Sequence, residues 1–284
     1  MKVEHIILRG DGAFNQDKFV EAVARGTVAA DTALRMEVEE LDTRQLSAVK
    51  GDASVVAVAP VIPMQLIAPR DVQQAASPSA GEPTWGVDAV GATTSPFSGE
   101  GIVVAVLDTG IDAAHPAFAG AQILQKDFTG EGDGDSHGHG THCAGTIFGR
   151  DASSGRIGIA RGVKRVLVGK VLGMQGGGSS EQIVSAIQWA ADNGANVVSM
   201  SLGIDFPGFV AHLQAQGFPP ELAASRALEG YRENVQLFEK LAAFMKVRGA
   251  FSQNAMLIVA AAGNESDRDV NPEFEVGVSP IHPS

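Results

Sequence analysis

From Gly101 onward the chain is built around short, nearly unbroken apolar runs: "GIVVAVLD" (101–108), "KRVLVGKVL" (164–172), "ANVVSMSL" (195–202) and "AMLIVAAAG" (255–263). Runs that are apolar at both odd and even positions predict strands buried on both faces. Between two of them, "SSEQIVSAIQWAADNG" (179–194) has the spacing of an amphipathic helix. Strands of that kind alternating with helices predict a parallel α/β sheet. In such sheets ligands bind beyond the carboxyl ends of the strands. Here those ends are Asp108, Leu172-Gly173, Ser201-Leu202-Gly203 and Gly263-Asn264.

The first 69 residues follow a different rhythm. "VEHIILRG" reads as a strand, "NQDKFVEAVARG" as an amphipathic helix closed by Gly26, and "ALRMEVEEL" as a second strand. "TRQLSAVKGD" predicts a short helix capped by Thr43 and stopped at Gly51, and "ASVVAVAPVIPMQLI" an extended, edge-like strand broken by prolines. The pattern predicts a small α+β domain over 1–69, a linker rich in Ala, Ser, Pro and Gly over 70–83, and a larger α/β domain over 84–284. Residues 204–254 are long for a crossover. Leu222, Leu228, Tyr231, Val235, Phe238, Leu241, Phe244 and Met245 recur there at helical spacing, predicting one or two inserted helices packed on the sheet, or a flap over the substrate.

Composition narrows the possible partners. The 284 residues carry a formal charge of -12, which argues against nucleic acid or an anionic membrane. One cysteine, Cys143, leaves no pairing within the chain. The apolar run Ile6-Ile7-Leu8 is too short for a secretory signal, and no segment approaches a membrane span, so the expectation is a soluble, cytoplasmic, monomeric protein.

Three residues at strand or helix ends could carry chemistry. Asp108 closes a buried strand, where a carboxylate needs a partner or acts as a turn cap. His139 stands between Gly138 and Gly140 in "HGHGTHCAGTIFG", where glycines let the backbone approach closely. A metal reading pairs His139 with His142 at i, i+3, but a zinc site needs a third ligand, and Cys143 is expected to point to another side of the helix. Asn264, in "VAAAGNES", is an amide that could donate to an oxyanion or simply close a turn.

Taken together, "VVAVLDTGIDAAHP", "HGHGTHCAGTI", "NVVSMSLG" and "VAAAGNE", in that order, resemble the subtilisin-like serine peptidases, with a histidine motif like that of the proteinase K branch. The resemblance covers roughly residues 84–275. It implies that Asp108 orients the imidazole, that His139 is the general base and that Asn264 is the oxyanion donor. It implies too that Cys143 is not the nucleophile. Gly176-Gly177-Gly178 and Ser201-Leu202-Gly203 would be the two edges between which a polypeptide substrate lies as an added strand. Ala261-Ala262-Gly263 would form one wall of a roomy, apolar specificity pocket. The same resemblance makes residues 1–69 a ferredoxin-like inhibitory propeptide of the I9 type, its tail in the cleft and its processing site within 70–83.

The nucleophile is the gap in this pattern. The family carries it in a Gly-Thr-Ser-Met-Ala type segment, and the serines after Asn264 (Ser266, Ser279 and Ser284) lack that setting. The catalytic domain therefore reads as C-terminally incomplete and inactive as it stands, its closing "IHPS" as a premature stop, frameshift or assembly break. An apolar sheet face would be left uncovered. The alternative reading is a non-catalytic peptide-binding or inhibitory pseudoprotease. No cofactor is expected: a family calcium ligand would fall at Ala117, and "GRDASSGRIG" matches the rest of that site poorly.

Overall fold

The computed structural model describes residues 2–10, 21, 25, 34–69, 81–151, 155–252 and 255–264. The helix expected over 15–26 lies outside them except at Glu21 and Arg25, which are helical and joined by an ion pair of 2.5 Å. Most of the linker and the segment from 265 onward also lie outside.

The central sheet is parallel and five-stranded. Its strands are β5 (Val103–Asp108), β6 (Gln122–Asp127), β7 (Arg165–Lys170), β9 (Val197–Met200) and β11 (Leu257–Ala260), in the spatial order β11-β9-β5-β7-β6. The four strands foreseen from apolar runs are all present. β6 had no such run: as an edge strand it alternates exposed and half-buried residues, so its sequence "QILQKD" is half polar. On the β11 edge, Leu257 and Val259 are 61% and 46% exposed. The helices that position the site are α2 (Trp85–Ala89), α3 (His139–Phe148) and α4 (Ser180–Asp192). In α4 a capping box between Ser179 and Gln182 fixes the first turn.

The N-terminal residues form an antiparallel sheet, β2-β1-β3, from β1 (Val3–Gly10), β2 (Leu34–Leu41) and β3 (Val55–Pro60). Helix α1 (Thr43–Lys50) covers one face, packing Leu46 and Val49 on Ile7, Leu41 and Val55. Its cap is Asp42 rather than Thr43: the Asp42 carboxylate accepts from the Arg44 and Gln45 amides, and Gln45 reaches back to the Asp42 amide. The other face, with Ile6, Leu8, Val56 and Ala59, joins the core that also holds Leu107, Leu167 and Ile187 of the larger unit. One continuous core therefore runs through both halves.

The stretch expected as one edge-like strand divides in two: β3 is an edge of its sheet, but the part after it is not. Residues Pro63–Leu66 form β4, which lies between β8 (Gly177–Ser179) and β10 (Leu202–Ile204) as the middle strand of an antiparallel sheet. Beyond β10 come two helices, α5 (Phe206–Ala215) and α6 (Pro220–Ser252). They pack chiefly on each other and on β3, so the inserted segment sits against the small N-terminal sheet rather than on the parallel sheet.

Candidate active site

Asp108 ends β5 and is 1% exposed. A carboxylate buried there is stable only if hydrogen-bonded. Its Oδ1 accepts from the Thr109 amide at 2.7 Å and lies 2.8 Å from His139 Nδ1, while Oδ2 has no hydrogen-bond partner among the described residues. His139 opens α3. Gly138, its cap, has φ +94°, a left-handed conformation that other residues adopt with strain. Gly140 brings the helix against the turn after β5, because a Cβ there would collide with the Gly110 carbonyl oxygen. These two glycines are what bring His139 onto Asp108. Burial lowers the pKa of His139, but the hydrogen bonds and charges of Asp108 and Cys143 outweigh it and raise the pKa from 6.5 to about 10.

A second carboxylate, which the sequence reading passed over, ties these elements together. Asp135 Oδ1 accepts from Thr109 Oγ1 at 2.8 Å, from the Gly138 amide at 2.8 Å and from the His137 amide at 3.1 Å. Its Oδ2 accepts from the Thr141 amide at 2.8 Å and the Thr141 hydroxyl at 2.6 Å. Thr109 Oγ1 in turn accepts from the Gly140 amide at 2.9 Å. Burial works against the Asp135 carboxylate, yet the bonds from Thr141 and Gly138 hold its pKa below the usual 3.8. The only signal in the sequence was an Asp four residues before the histidine in a Gly- and Ser-rich loop, which also describes an ordinary turn.

The two segments expected as groove edges, 176–178 and 201–203, lie on either side of β4. Met64 and Gln65 pair with Gly178 and Gly177 on one side, and Met64, Gln65 and Leu66 with Ile204, Gly203 and Leu202 on the other. The Leu66 amide donates to the Gly176 carbonyl at 2.9 Å and the Ile67 amide to the Ser201 carbonyl at 3.1 Å. Gly263, at φ +98°, turns the chain, and Asn264 Nδ2 donates to the Ala68 carbonyl at 2.7 Å. Ala261 remains bonded to β9 through the Met200 carbonyl at 3.0 Å. Met64 and Ile67 are 1% and 6% exposed, and Met64 belongs to the main hydrophobic core.

Cys143 corrects an expectation. It lies one helical turn beyond His139 and on the same face, its Sγ 3.7 and 3.8 Å from the two ring nitrogens and 3.5 Å from Ser201 Oγ. Asp108, His139 and Cys143 are the one group of three potential metal ligands among the described residues, although His139 Nδ1 is already engaged by Asp108. His142, paired with His139 in the metal reading, instead lines a separate cavity of about 1180 Å³ with His115, Trp85 and Ile157. Ala117 is buried in a 3-10 turn (Pro116–Phe118), and its methyl offers a cation nothing. Residues 152–154 of the adjoining loop lie outside the described residues.

The model of the subtilase family, peptidase S8, matches residues 99–280. The chain belongs to this family. Among similar subtilases, the major intracellular serine protease of Bacillus subtilis strain 168 is 34% identical over 181 residues, which are 62% of this chain and 46% of that protein. The intracellular serine protease of Paenibacillus polymyxa is 40% identical over 111 residues, 37% of this chain and 34% of the relative. Subtilisin Savinase of Lederbergia lenta is 39% identical over 129 residues, 43% and 46% of the two chains. The subtilase chain thus spans between a third and a half of the length of these relatives. No helix among its described residues is long and apolar enough to cross a membrane.

Proposed function

We propose that these residues build the Asp–His half and the substrate groove of a serine endopeptidase, with residues 1–69 as its inhibitory propeptide. The observation that carries the reading is the 2.8 Å contact of His139 with buried Asp108, beside a strand whose Ala68 carbonyl meets Asn264. Asp108 fixes the imidazole tautomer, so that the far ring nitrogen takes the proton of a serine hydroxyl and returns it to the leaving amine. Asn264 Nδ2 donates to the oxygen that gains negative charge. No serine in a Gly-Thr-Ser-Met-Ala setting occurs in the 284 residues, so the hydroxyl comes from polypeptide outside them.

A polypeptide substrate binds as β4 does, through main-chain hydrogen bonds to Gly176–Gly178 and Ser201–Gly203 that read no side chain. Ala261, Ala262 and Gly263 wall a pocket for an apolar residue. The contact of Asn264 Nδ2 with the Ala68 carbonyl at 2.7 Å supports a processing bond soon after Ala68, at the start of the 70–83 linker. Acyl transfer of this kind needs no cofactor, and the protein acts as a cytoplasmic monomer without nucleic acid or membrane as partner.

The test compares the 284-residue chain with a version extended by the sequence that follows codon 284 in its gene. The extended protein should be labelled by a serine-reactive phosphonate and cleave a fluorogenic peptide, and His139→Ala should abolish both. An extended protein that binds peptide without labelling or cleavage would overturn the reading in favour of a pseudoprotease.

A further inference from the structure

Three carboxylates stand four residues apart on the stretch that leads from β6 into α3: Asp127, Glu131 and Asp135. The stretch is not helical, so this spacing does not stack them on one face, and each holds something different. Asp127 closes the stretch on itself. Its Oδ1 accepts from the Thr129 amide and hydroxyl, both at 2.7 Å, and its Oδ2 from the Gly132 amide at 2.7 Å. Burial works against this carboxylate, but the bonds from Thr129 and Gly132 and the charge of Lys170 hold its pKa below the usual 3.8. Asp135, at the other end, holds the start of α3 and so His139. Glu131, between them, reaches off the stretch altogether.

Both oxygens of Glu131 accept from the Met174 amide, at 3.2 and 3.0 Å. Met174 belongs to the turn that carries the first groove edge. There the Gly176 amide donates to the Gly173 carbonyl and the Gly173 amide to the Gly177 carbonyl, each at 2.8 Å. The fit is close: a Cβ on Gly173 would lie 2.5 Å from Glu131 Oε1. Gly173 has no left-handed φ, so that contact alone opposes a side chain. Further along the same stretch, His137 Nε2 lies 3.9 Å from the place of a Gly176 Cβ, and Leu66 Cβ of the groove strand lies 3.3 Å from that place. The His137 ring is 6.3 Å from the His139 ring.

A lysine keeps Glu131 in position. Lys170 ends β7, in register with Asp108 of β5 on one side and Asp127 of β6 on the other, and is 4% exposed. An ammonium buried there is costly unless it is paired. Its Nζ lies 3.2 Å from Glu131 Oε2, while the Glu131 side chain is 43% exposed. A carboxylate at the rim of the groove is thus held by a charge fixed in the central sheet. A loop can be closed without burying an ammonium at the end of an interior strand, and the acyl-transfer chemistry makes no use of this pair.

We propose that Glu131, held by Lys170, is a positioning residue of the groove: it fixes the edge at Gly176–Gly178 relative to His139. This rests on the peptidase-groove reading above and adds what keeps that groove in shape. One stretch of chain grips the edge through Glu131 and the start of α3 through Asp135. A bound strand therefore meets its main-chain partners and the imidazole at a set separation.

The experiment uses the full 284-residue chain with Glu131→Ala, Glu131→Gln and, separately, Gly173→Ala, which displaces the carboxylate without removing it. Hydrogen exchange is read at the Leu66 amide, bonded to Gly176, and at the Ile67 amide, bonded to Ser201 on the opposite edge. Losing a charged acceptor in Glu131→Ala should speed exchange at Leu66 and at Gly173 by about tenfold or more, and at Ile67 by much less. Glu131→Gln, which keeps an acceptor for Met174 but no charge for Lys170, should restore part of the protection. Gly173→Ala should act in the same direction, and should add nothing when Glu131 is already alanine. In the chain extended by the sequence that follows codon 284, Glu131→Ala should raise KM for a peptide of sequence 62–68 several-fold and change kcat less. Equal acceleration at both edges, or none, would overturn the proposal, as would a fall in kcat without a rise in KM. Selective loosening of the Gly176 edge with an unmoved KM would leave the bracket standing and overturn the groove reading instead.

Discussion

Asp108 and His139 make a pH-dependent pair whose sign follows from the raised imidazole pKa. A group protonated more readily in the folded state contributes stability that is complete below its unfolded pKa, near 6.5, and is lost as pH rises through about 10. The melting-temperature gap between the parent chain and Asp108→Asn should therefore be widest near pH 6 and should close toward pH 10. In the variant the buried ring loses its carboxylate, so the His139 pKa read by NMR should fall toward or below 6.5. A gap that stays constant with pH would mean that the pair carries no proton linkage. Asp135 acts one step further out, through Thr109 and the loop ahead of α3. Asp135→Ala should drop the His139 pKa as well, although the two side chains are not bonded, and Asp135→Asn, which keeps one acceptor oxygen, should restore part of it. An unmoved imidazole titration would make Asp135 a plain loop staple. At this scale the sequence was readable where a residue type is rare in its setting, as with Asp108 ending an apolar strand. It was not readable for Asp135, whose five acceptor bonds look from outside like one more turn aspartate, nor for Cys143, since helical facing was misjudged.

Among the elements, what could be read from sequence depended on burial. β5, β7 and β9 announced themselves because strands with neighbours on both sides carry apolar runs. The two edges of the described sheet differ: β11 keeps an apolar run although Leu257 and Val259 are exposed, whereas β6 is half polar. β8 and β10 are three residues each and exist as strands by virtue of pairing with β4, a partner more than a hundred residues away that local pattern cannot reveal. α6 showed its period, and its face only toward the carboxyl end, where Leu241, Phe244 and Met245 are buried; earlier in the helix Leu222 and Leu228 are exposed, and Ala223, Ala227 and Asn234 do the packing. β4 itself is held by side chain as well as backbone, Met64 being 1% exposed in the shared core. Met64→Asp should lower the stability of the whole chain by several kcal/mol, on the order of 3, as an unpaired buried charge does. It should also expose the groove to proteolysis at the flanking glycines first. Urea unfolding with unchanged midpoint would show that β4 is a passive passenger.

For the molecule as a whole, the sequence divided the chain into two units with a linker, while the structure joins them by one core that runs from Ile6 and Val56 through Leu107 and Leu167 to Leu241. A hydrophobic pattern reports which residues are buried and says nothing of which segment buries them, so the shared interior was not legible. The position of β4 also bears on how the chain is made. Met64 finds its second strand partner in Ile204, about 140 residues later, and β3 meets Asn234 later still. At ribosomal speeds of roughly 5–20 residues per second, the amino-terminal sheet waits on the order of ten seconds or more for the surface that covers it. During that interval Ile6, Leu8, Val56 and Met64 face water or a chaperone. The strands β1, β3 and β4 are therefore made well before the surface that covers them and are among the last parts to be sealed.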